Sequence, residues 1–198
     1  PNVAEFFEQS LKFTIRDKSA KEYVSTTRWE GLDLMPSHPS LDELHGKLES
    51  RHKIYKLRDA LALLAQDYDQ IYIDTPPALN FYTRCALIAA QGCLIPFDCD
   101  DFSRRALYTL LENVQEIQAD HNSALAVEGI IVNQFQARAN LPQRMVQELI
   151  DEGLPVLQPY LSSSVKIRES HEQATPMIFL EPSHKLTQEL IALRCKLR

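Results

Sequence analysis

The segment that decides the fold is Asp69–Pro77, which reads DQIYIDTPP. Its apolar run, Ile71–Ile73, has the length and composition expected of a strand buried on both faces of a parallel sheet. Asp74 follows this run directly. Pro76 and Pro77 end the strand, because proline cannot donate a hydrogen bond to a strand ladder. We therefore expect a short buried strand with a carboxylate at its carboxyl end.

Similar apolar runs recur along the chain and alternate with helical patterns. The further predicted strands are CLIPF (93–97), VEGIIVNQF (127–135) and PVLQPYL (155–161). Apolar residues at helical spacing predict helices at about 78–90, 103–119 and 142–152. Such alternation indicates an α/β fold with a mainly parallel sheet, right-handed crossovers and helices on both faces. We expect Ile71–Ile73, Leu94–Phe97 and Ile130–Val132 to be adjacent or near-adjacent buried strands.

Polar residues follow each predicted strand, where α/β sheets bind their ligands. These residues are Asp74, Asp98–Asp101, Asn133 and the stretch Pro159–Ser164. An apolar strand ending in aspartate has the layout of a Walker B motif, whose carboxylate reaches the Mg²⁺ ion of a bound nucleotide directly or through a water. Strand-terminal aspartates are also common caps, so this pattern alone leaves both readings open.

Composition narrows the function classes. The chain has 198 residues, 44% of them hydrophobic, and a formal net charge of −6, which suits a single globular domain spanning 1–198. No apolar run approaches the roughly 20 residues that cross a bilayer. The acidic balance means that any DNA contact must come from a local basic patch. The four cysteines form no C-x-x-C pair, which argues against a zinc site or a redox dithiol and fits a reducing cytoplasm.

Several segments, in matching order, resemble the motifs of the ParA/MinD family of partitioning ATPases. YDQIYIDTPP (68–77) is similar to the family signature YDYIxIDxPP, and GLDLMPS (31–37) is similar to its GLDLIPS strand. Three longer segments resemble the strand-and-helix units that follow in the family, namely 86–107, 127–149 and 165–190. The resemblance covers roughly residues 31–196 and implies a fold like that of the P-loop NTPases.

The resemblance also implies a chemistry and a set of partners. Members of this family bind ATP with Mg²⁺, form a homodimer around two nucleotides and hydrolyse ATP slowly. In the ParA branch the ATP dimer binds DNA without sequence preference, and a ParB-like centromere-binding protein stimulates hydrolysis. In the MinD branch the dimer binds a membrane through an amphipathic tail. We expect the ParA branch, with no membrane partner and a place at the nucleoid in the bacterial cytoplasm, because the chain stops near the last core helix.

The resemblance assigns roles to five residues of the nucleotide site. Asp74 matches the Walker B aspartate, which is catalytic and holds Mg²⁺ directly or through a water. Thr75 and Pro76 match the switch segment that follows it. Asn133 matches an asparagine that reads the adenine base, a task that suits an amide because it both donates and accepts hydrogen bonds. Pro159 resembles a proline that packs near the base, although the residues after it depart from the family pattern. An ordinary loop asparagine remains the alternative for Asn133.

Three basic residues are the candidates for contact with DNA. Arg138 and Lys166 match positions where the ParA branch places cations on DNA phosphates, and Arg168 lies two residues beyond Lys166. Each would add a contact that depends on salt and ignores base sequence. Solvated surface charge is the alternative for all three.

The phosphate-binding loop of the family has no counterpart in this sequence. The pattern G-x-x-x-x-G-K-[ST] does not occur, and the only Gly-Lys pair, Gly46-Lys47, lies inside a predicted helix. We therefore expect the first strand, the loop and the first helix of the domain to be missing from the front, so that the complete protein hydrolyses ATP and these 198 residues alone do not. A natural remnant that acts as an interaction module is the alternative. A dinucleotide-dependent oxidoreductase is disfavoured because no strand is followed by G-x-G-x-x-G.

Overall fold

The computed structural model describes residues 1–12 and 18–197, and these divide into two compact units. The first unit contains residues 1–91 and 117–125, and the second contains residues 92–116 and 126–198. The first unit is mostly helical, whereas the second carries the parallel sheet.

The described part of the first unit contains four complete α-helices and a small antiparallel hairpin. They are α1 (Val3–Gln9), β1 (Ser25–Thr26), β2 (Asp33–Leu34), α2 (Leu41–Ser50), α3 (Lys56–Leu64) and α4 (Phe81–Ala89). Asparagine side chains start two of the helices. The Asn2 side chain accepts from the Glu5 N–H at 3.0 Å, and that of Asn80 accepts from the Tyr82 and Thr83 N–H groups. Such caps satisfy amides that have no partner within the helix.

The core of the first unit is rich in aromatic side chains. Phe7 is almost fully buried and meets the rings of Phe6, Phe81 and Tyr82 edge to face, at centroid distances of 5.1, 6.1 and 5.4 Å. Each fully buried ring of this size contributes about 1.5–3 kcal/mol relative to an exposed one. This cluster therefore joins α1 to α4 within the unit.

The second unit alternates strands and helices. Its elements are β3 (Gly92–Asp98), α5 (Asp101–Asp120), β4 (Ala126–Asn133), α6 (Asn140–Asp151), β5 (Val156–Leu157), α7 (Lys166–Glu172), α8 (Met177–Leu180) and α9 (Lys185–Arg194), with the last turn of α5 assigned to the first unit. The strands form a parallel sheet in the order β3-β4-β5. The expected α/β class with a parallel sheet is confirmed.

Buried apolar side chains from the sheet and from two helices form the main core of the second unit. They are Ile95, Phe97, Leu107, Ile130, Val132, Met145, Val146 and Leu149. Gly129 allows β4 and β5 to pair closely, since a Cβ atom there would lie 2.3 Å from the Leu157 Cγ atom. The unit therefore depends on a glycine at one position of its central strand.

The predicted strand Ile71–Ile73 is wrong in this structure. The segment has no regular secondary structure, and Ile71 and Tyr72 are 39% and 63% exposed. A strand needs a neighbour to satisfy its backbone hydrogen bonds, and no strand among the described residues pairs with this segment. The predicted strand 155–161 is shorter than expected, because only Val156–Leu157 forms a ladder with β4. None of the helices in residues 1–12 and 18–197 is long and apolar enough to cross a membrane.

Candidate functional site

The carboxyl edge of the sheet in the second unit gathers the polar residues that follow its strands. Asp98 and Asn133 end β3 and β4 and lie opposite each other in the strand register. After β5 the chain continues along the end of β4. The Leu161 N–H donates to the Val132 carbonyl at 2.9 Å, and the Phe135 N–H donates to the Leu161 carbonyl at 2.8 Å. One sheet edge therefore holds residues from all three strand ends.

An open cleft of about 420 Å³ lies at this edge. It is lined by Asp98, Cys99, Asp100, Asn133, Gln134, Gln136, Ala139, Leu141 and Pro142. Most of these side chains are polar and uncharged or acidic, and two apolar residues of the first turn of α6 contribute to the lining. The cleft thus offers amide and carboxylate groups beside an apolar wall, a combination found in sites for small organic ligands.

The electrostatics of the cleft favour a hydrogen-bond donor over a phosphate. The Ser103 N–H donates to Asp100 at 2.7 Å and lowers the pKa of that carboxyl group, so Asp100 stays ionised at neutral pH. Burial, and then the carboxylates of Asp98 and Asp100, raise the pKa of the Cys99 thiol. The buried Asp98 Oδ1 atom has no hydrogen-bond partner among the described residues. The carboxylates of Asp98 and Asp100 repel a polyphosphate, but they can accept hydrogen bonds from the amino group of a base.

Asn133 is the predicted base-reading residue that the structure brings to this cleft. Its side chain is partly buried and makes no hydrogen bond to any described residue, so both its carbonyl and its NH₂ group remain open to a ligand. Pro159 lies in the segment after β5, outside the cleft lining. The neighbouring Tyr160 ring packs on Phe135 with 4.7 Å between centroids. Within the second unit, Asn133 is therefore the better placed of the two predicted base contacts.

Asp74, Thr75 and Pro76 belong to the first unit, whereas the cleft belongs to the second. All three are exposed, and the Asp74 carboxylate has no hydrogen bond to a described residue. No group of three or more His, Cys, Asp or Glu residues in the described part of the chain could hold a metal ion by itself. Mg²⁺ keeps several waters and takes one or two carboxylates together with phosphates. Asp74 therefore fits an ion that a nucleotide brings with it.

The three predicted DNA-binding cations differ in their surroundings. Arg138, in the loop before α6, and Arg168, on α7, are exposed and form no ion pair with a described residue. Lys166 Nζ lies 2.8 Å from a Glu169 carboxylate oxygen and 3.4 Å from one of Glu181. The hydrogen bonds that Lys166 donates to these two glutamates raise its pKa. The charge of Lys166 is thus balanced within the protein, whereas the two arginines are open to an outside anion.

Sequence reasoning missed Glu189, which contacts the segment after β5. Its carboxylate accepts from the Ser162 backbone N–H at 2.8 Å and from the Ser162 hydroxyl at 2.7 Å. Glu189 sits between the buried residues Leu186 and Leu193 on α9. A carboxylate at helical spacing among buried leucines is the signal that could have identified it, because buried charges in proteins are paired.

Comparison with known proteins decides the family. A family model described as an AAA domain matches residues 2–127. The chromosome partitioning protein ParA of Myxococcus xanthus is 30% identical over 183 residues, which is 90% of this chain and 64% of that protein. The chain belongs to the ParA/MinD family. It spans less than two thirds of the length of this Myxococcus relative. The sporulation initiation inhibitor protein Soj of Bacillus subtilis is 28% identical over 85% of this chain and 67% of that protein.

Solved structures agree with this assignment. A complex of Cyanothece McdA with ATP has a TM-score of 0.84 and 19% identity, over 99% of this chain and 75% of that one, which shows a shared fold. Cobyrinic acid a,c-diamide synthase from Mycobacterium smegmatis, with a bound ATP analogue and magnesium, has a TM-score of 0.72 and 26% identity over 83% of this chain and 63% of that one. Similar structures with bound ATP or an ATP analogue are thus known, and one of them holds magnesium.

Proposed function

We propose that the full-length protein is a ParA-type partitioning ATPase that binds ATP with Mg²⁺, dimerises, and in that state binds DNA without sequence preference. The observation that carries this proposal is the 30% identity to a chromosome partitioning ParA protein over 90% of the chain. A ParB-like centromere-binding protein is the proposed partner, and the nucleoid in the bacterial cytoplasm is the proposed location.

Asn133 is the proposed contact to the adenine base. Its amide carries both a donor and an acceptor, as the adenine edge requires. The carboxylates of Asp98 and Asp100, which line the same cleft, would accept from the amino group of the base. Their negative charge keeps phosphates out of the cleft, so the triphosphate extends away from this edge.

Asp74 is the proposed Walker B residue, with Thr75 and Pro76 as the switch segment after it. Mg²⁺, when bound with ATP, neutralises charge that develops on the phosphates during transfer to water. The Asp74 carboxylate would orient that ion through one of its waters. Because this side chain is exposed and has no hydrogen bond to a described residue, its removal should cost little folding stability.

Replacement of Asp74 tests the enzymatic part of the proposal. In the full-length protein, Asp74→Ala should lower the rate of ATP hydrolysis by about 100-fold, the effect typical of a lost electrostatic contact at a transition state. Thermal unfolding followed by circular dichroism should stay unchanged. Asp69→Ala is the matched control, because Asp69 is exposed, lies five positions upstream and has no ion pair among the described residues. Normal turnover in Asp74→Ala would exclude Asp74 from a catalytic role.

A further inference from the structure

The segment after β5 bonds to the end of β4 through its backbone, and at Ser162 it also makes two hydrogen bonds with one side chain of α9. Glu189 of α9 accepts a hydrogen bond from the Ser162 backbone N–H at 2.8 Å and another from the Ser162 hydroxyl at 2.7 Å. Both oxygens of the carboxylate are used in this way. The arrangement therefore sets the position and the orientation of Ser162.

Burial strengthens these two hydrogen bonds. The Glu189 side chain is 11% exposed, whereas Lys185, whose ammonium lies 3.5 Å from one Glu189 oxygen, is 77% exposed. A hydrogen bond to a charged acceptor is stronger than a neutral one, and more so away from water. An exposed lysine that water surrounds adds little. The Ser162 contacts, and not the ion pair, account for the placement of Glu189.

The residue held by Glu189 lies beside the end of β4. Ser162 forms a parallel bridge with Phe135, two positions after Asn133. The Phe135 N–H donates to the Leu161 carbonyl at 2.8 Å, and the Leu161 N–H donates to the Val132 carbonyl at 2.9 Å. Asn133 is therefore flanked on both sides by backbone groups bonded to the segment that Glu189 holds.

We propose that Glu189 is a positioning residue for nucleotide binding, which holds Ser162 so that the end of β4 presents Asn133 to the base. This inference rests on the proposed function, because it assumes that Asn133 contacts adenine. Glu189 itself need not touch the ligand. Its loss should free the segment around Ser162 and weaken ATP binding without removing any atom from the cleft.

The test compares variants of the full-length protein by two measurements. One is ATP affinity from isothermal titration calorimetry, and the other is hydrogen exchange of the Ser162 amide without nucleotide. Glu189→Ala should bind ATP about tenfold more weakly, as expected when a charge-assisted hydrogen bond is lost. It should also lose protection of the Ser162 amide. Glu189→Gln should stay within about threefold of wild type, because its carbonyl still accepts from that amide.

Two further variants separate the Ser162 contacts from other roles of Glu189. Ser162→Ala removes the hydrogen bond of the hydroxyl to Glu189 and leaves that of the backbone N–H, so it should weaken ATP binding about threefold. The double variant Ser162→Ala with Glu189→Ala should bind no more weakly than Glu189→Ala alone, since partners in one interaction are not additive. Lys185→Ala, which removes only the exposed ion pair, is the control and should match wild type. If Glu189→Ala does not fold, the same two measurements on Ser162→Ala and Glu189→Gln test the proposal.

Distinct outcomes separate this inference from the proposed function. Wild-type ATP affinity in Glu189→Ala, a Ser162 amide that stays protected in that variant, or additive losses in the double variant would each overturn the role of Glu189 alone. If the wild-type protein binds no ATP, the proposed function fails, and the nucleotide role of Glu189 fails with it.

Discussion

Two cysteines of the chain, Cys85 and Cys195, are expected to differ in reactivity because their side chains differ in burial. Cys85 is fully buried, and burial raises the pKa of its thiol to about 12. Cys195, just after α9, is exposed. Only the thiolate form of cysteine is nucleophilic, so the raised pKa slows the reaction of Cys85 with an alkylating reagent. Poor access to the buried sulfur slows it as well.

Alkylation of the native protein should follow that order. With iodoacetamide at pH 8, Cys195 should be modified first, and Cys85 should react at least about 100-fold more slowly, since almost none of it is ionised well below its pKa. Mass spectrometry of proteolytic peptides over time measures both rates. In urea the two rates should converge. Equal rates in the native protein would show that Cys85 is not held in the core as described.

The sequence predicted the position of Asn133 but not the side-chain contacts of Lys166 and Glu189. Asn133 was predicted at a strand end, and it does end β4 and line the cleft. The pairing of Lys166 with Glu181 was not predictable, because 15 positions separate them and only the packing of α7 near α8 brings the side chains together. The contact of Glu189 with Ser162 was missed for the same reason, since the two residues are 27 positions apart in the sequence.

The pairing of β4 with β5 makes a prediction at the level of elements. Gly129→Ala should destabilise the protein by about 1–3 kcal/mol, because the new Cβ atom would overlap the Leu157 side chain. Urea unfolding followed by circular dichroism measures this change.

Gly46→Ala is the control, for which we expect a stability change of the opposite sign. Gly46 lies within α2, and a Cβ atom there would meet nothing within 4 Å. Alanine should therefore stabilise the helix by about 0.5–1 kcal/mol, since it restricts the unfolded chain and has a higher helix propensity. Similar small effects of both replacements would contradict the close approach of β4 and β5.

Elements with strong internal patterns were predicted better than those that need a partner. The strand around Ile130–Val132 and the helix that follows it appear near the predicted bounds, because their apolar residues alone specify burial. Ile71–Ile73 carries the same apolar signal but no hydrogen-bonded neighbour in the described chain. Local sequence cannot supply that neighbour, which is why the strand prediction was wrong. The family assignment rests on a family model matched over residues 2–127 and on a relative matched over 90% of the chain, so the loss of this one strand does not remove it.

Charge at the scale of the whole molecule shapes the proposed binding of DNA. The net charge of −6 opposes contact with DNA, so a few open cations must act together. Two copies in an ATP-bound dimer would double the number of such contacts and raise the effective affinity of the pair. Arg138 and Arg168 are open, whereas Glu169 and Glu181 already balance Lys166. We therefore expect Lys166 to contribute less than either arginine.

The most direct measurement of the central claim is DNA binding by the full-length protein, with and without ATP, at several salt concentrations. Wild type should bind only with ATP, and Arg138→Ala with Arg168→Ala should lower the slope of log affinity against log salt by about one per lost contact. Lys166→Ala should change it less. Arg105 of α5 is exposed and has no ion pair with a described residue, so Arg105→Ala should leave the slope unchanged. DNA binding without ATP, equal slopes in all variants, or ATP-dependent binding to liposomes in place of DNA would contradict the account.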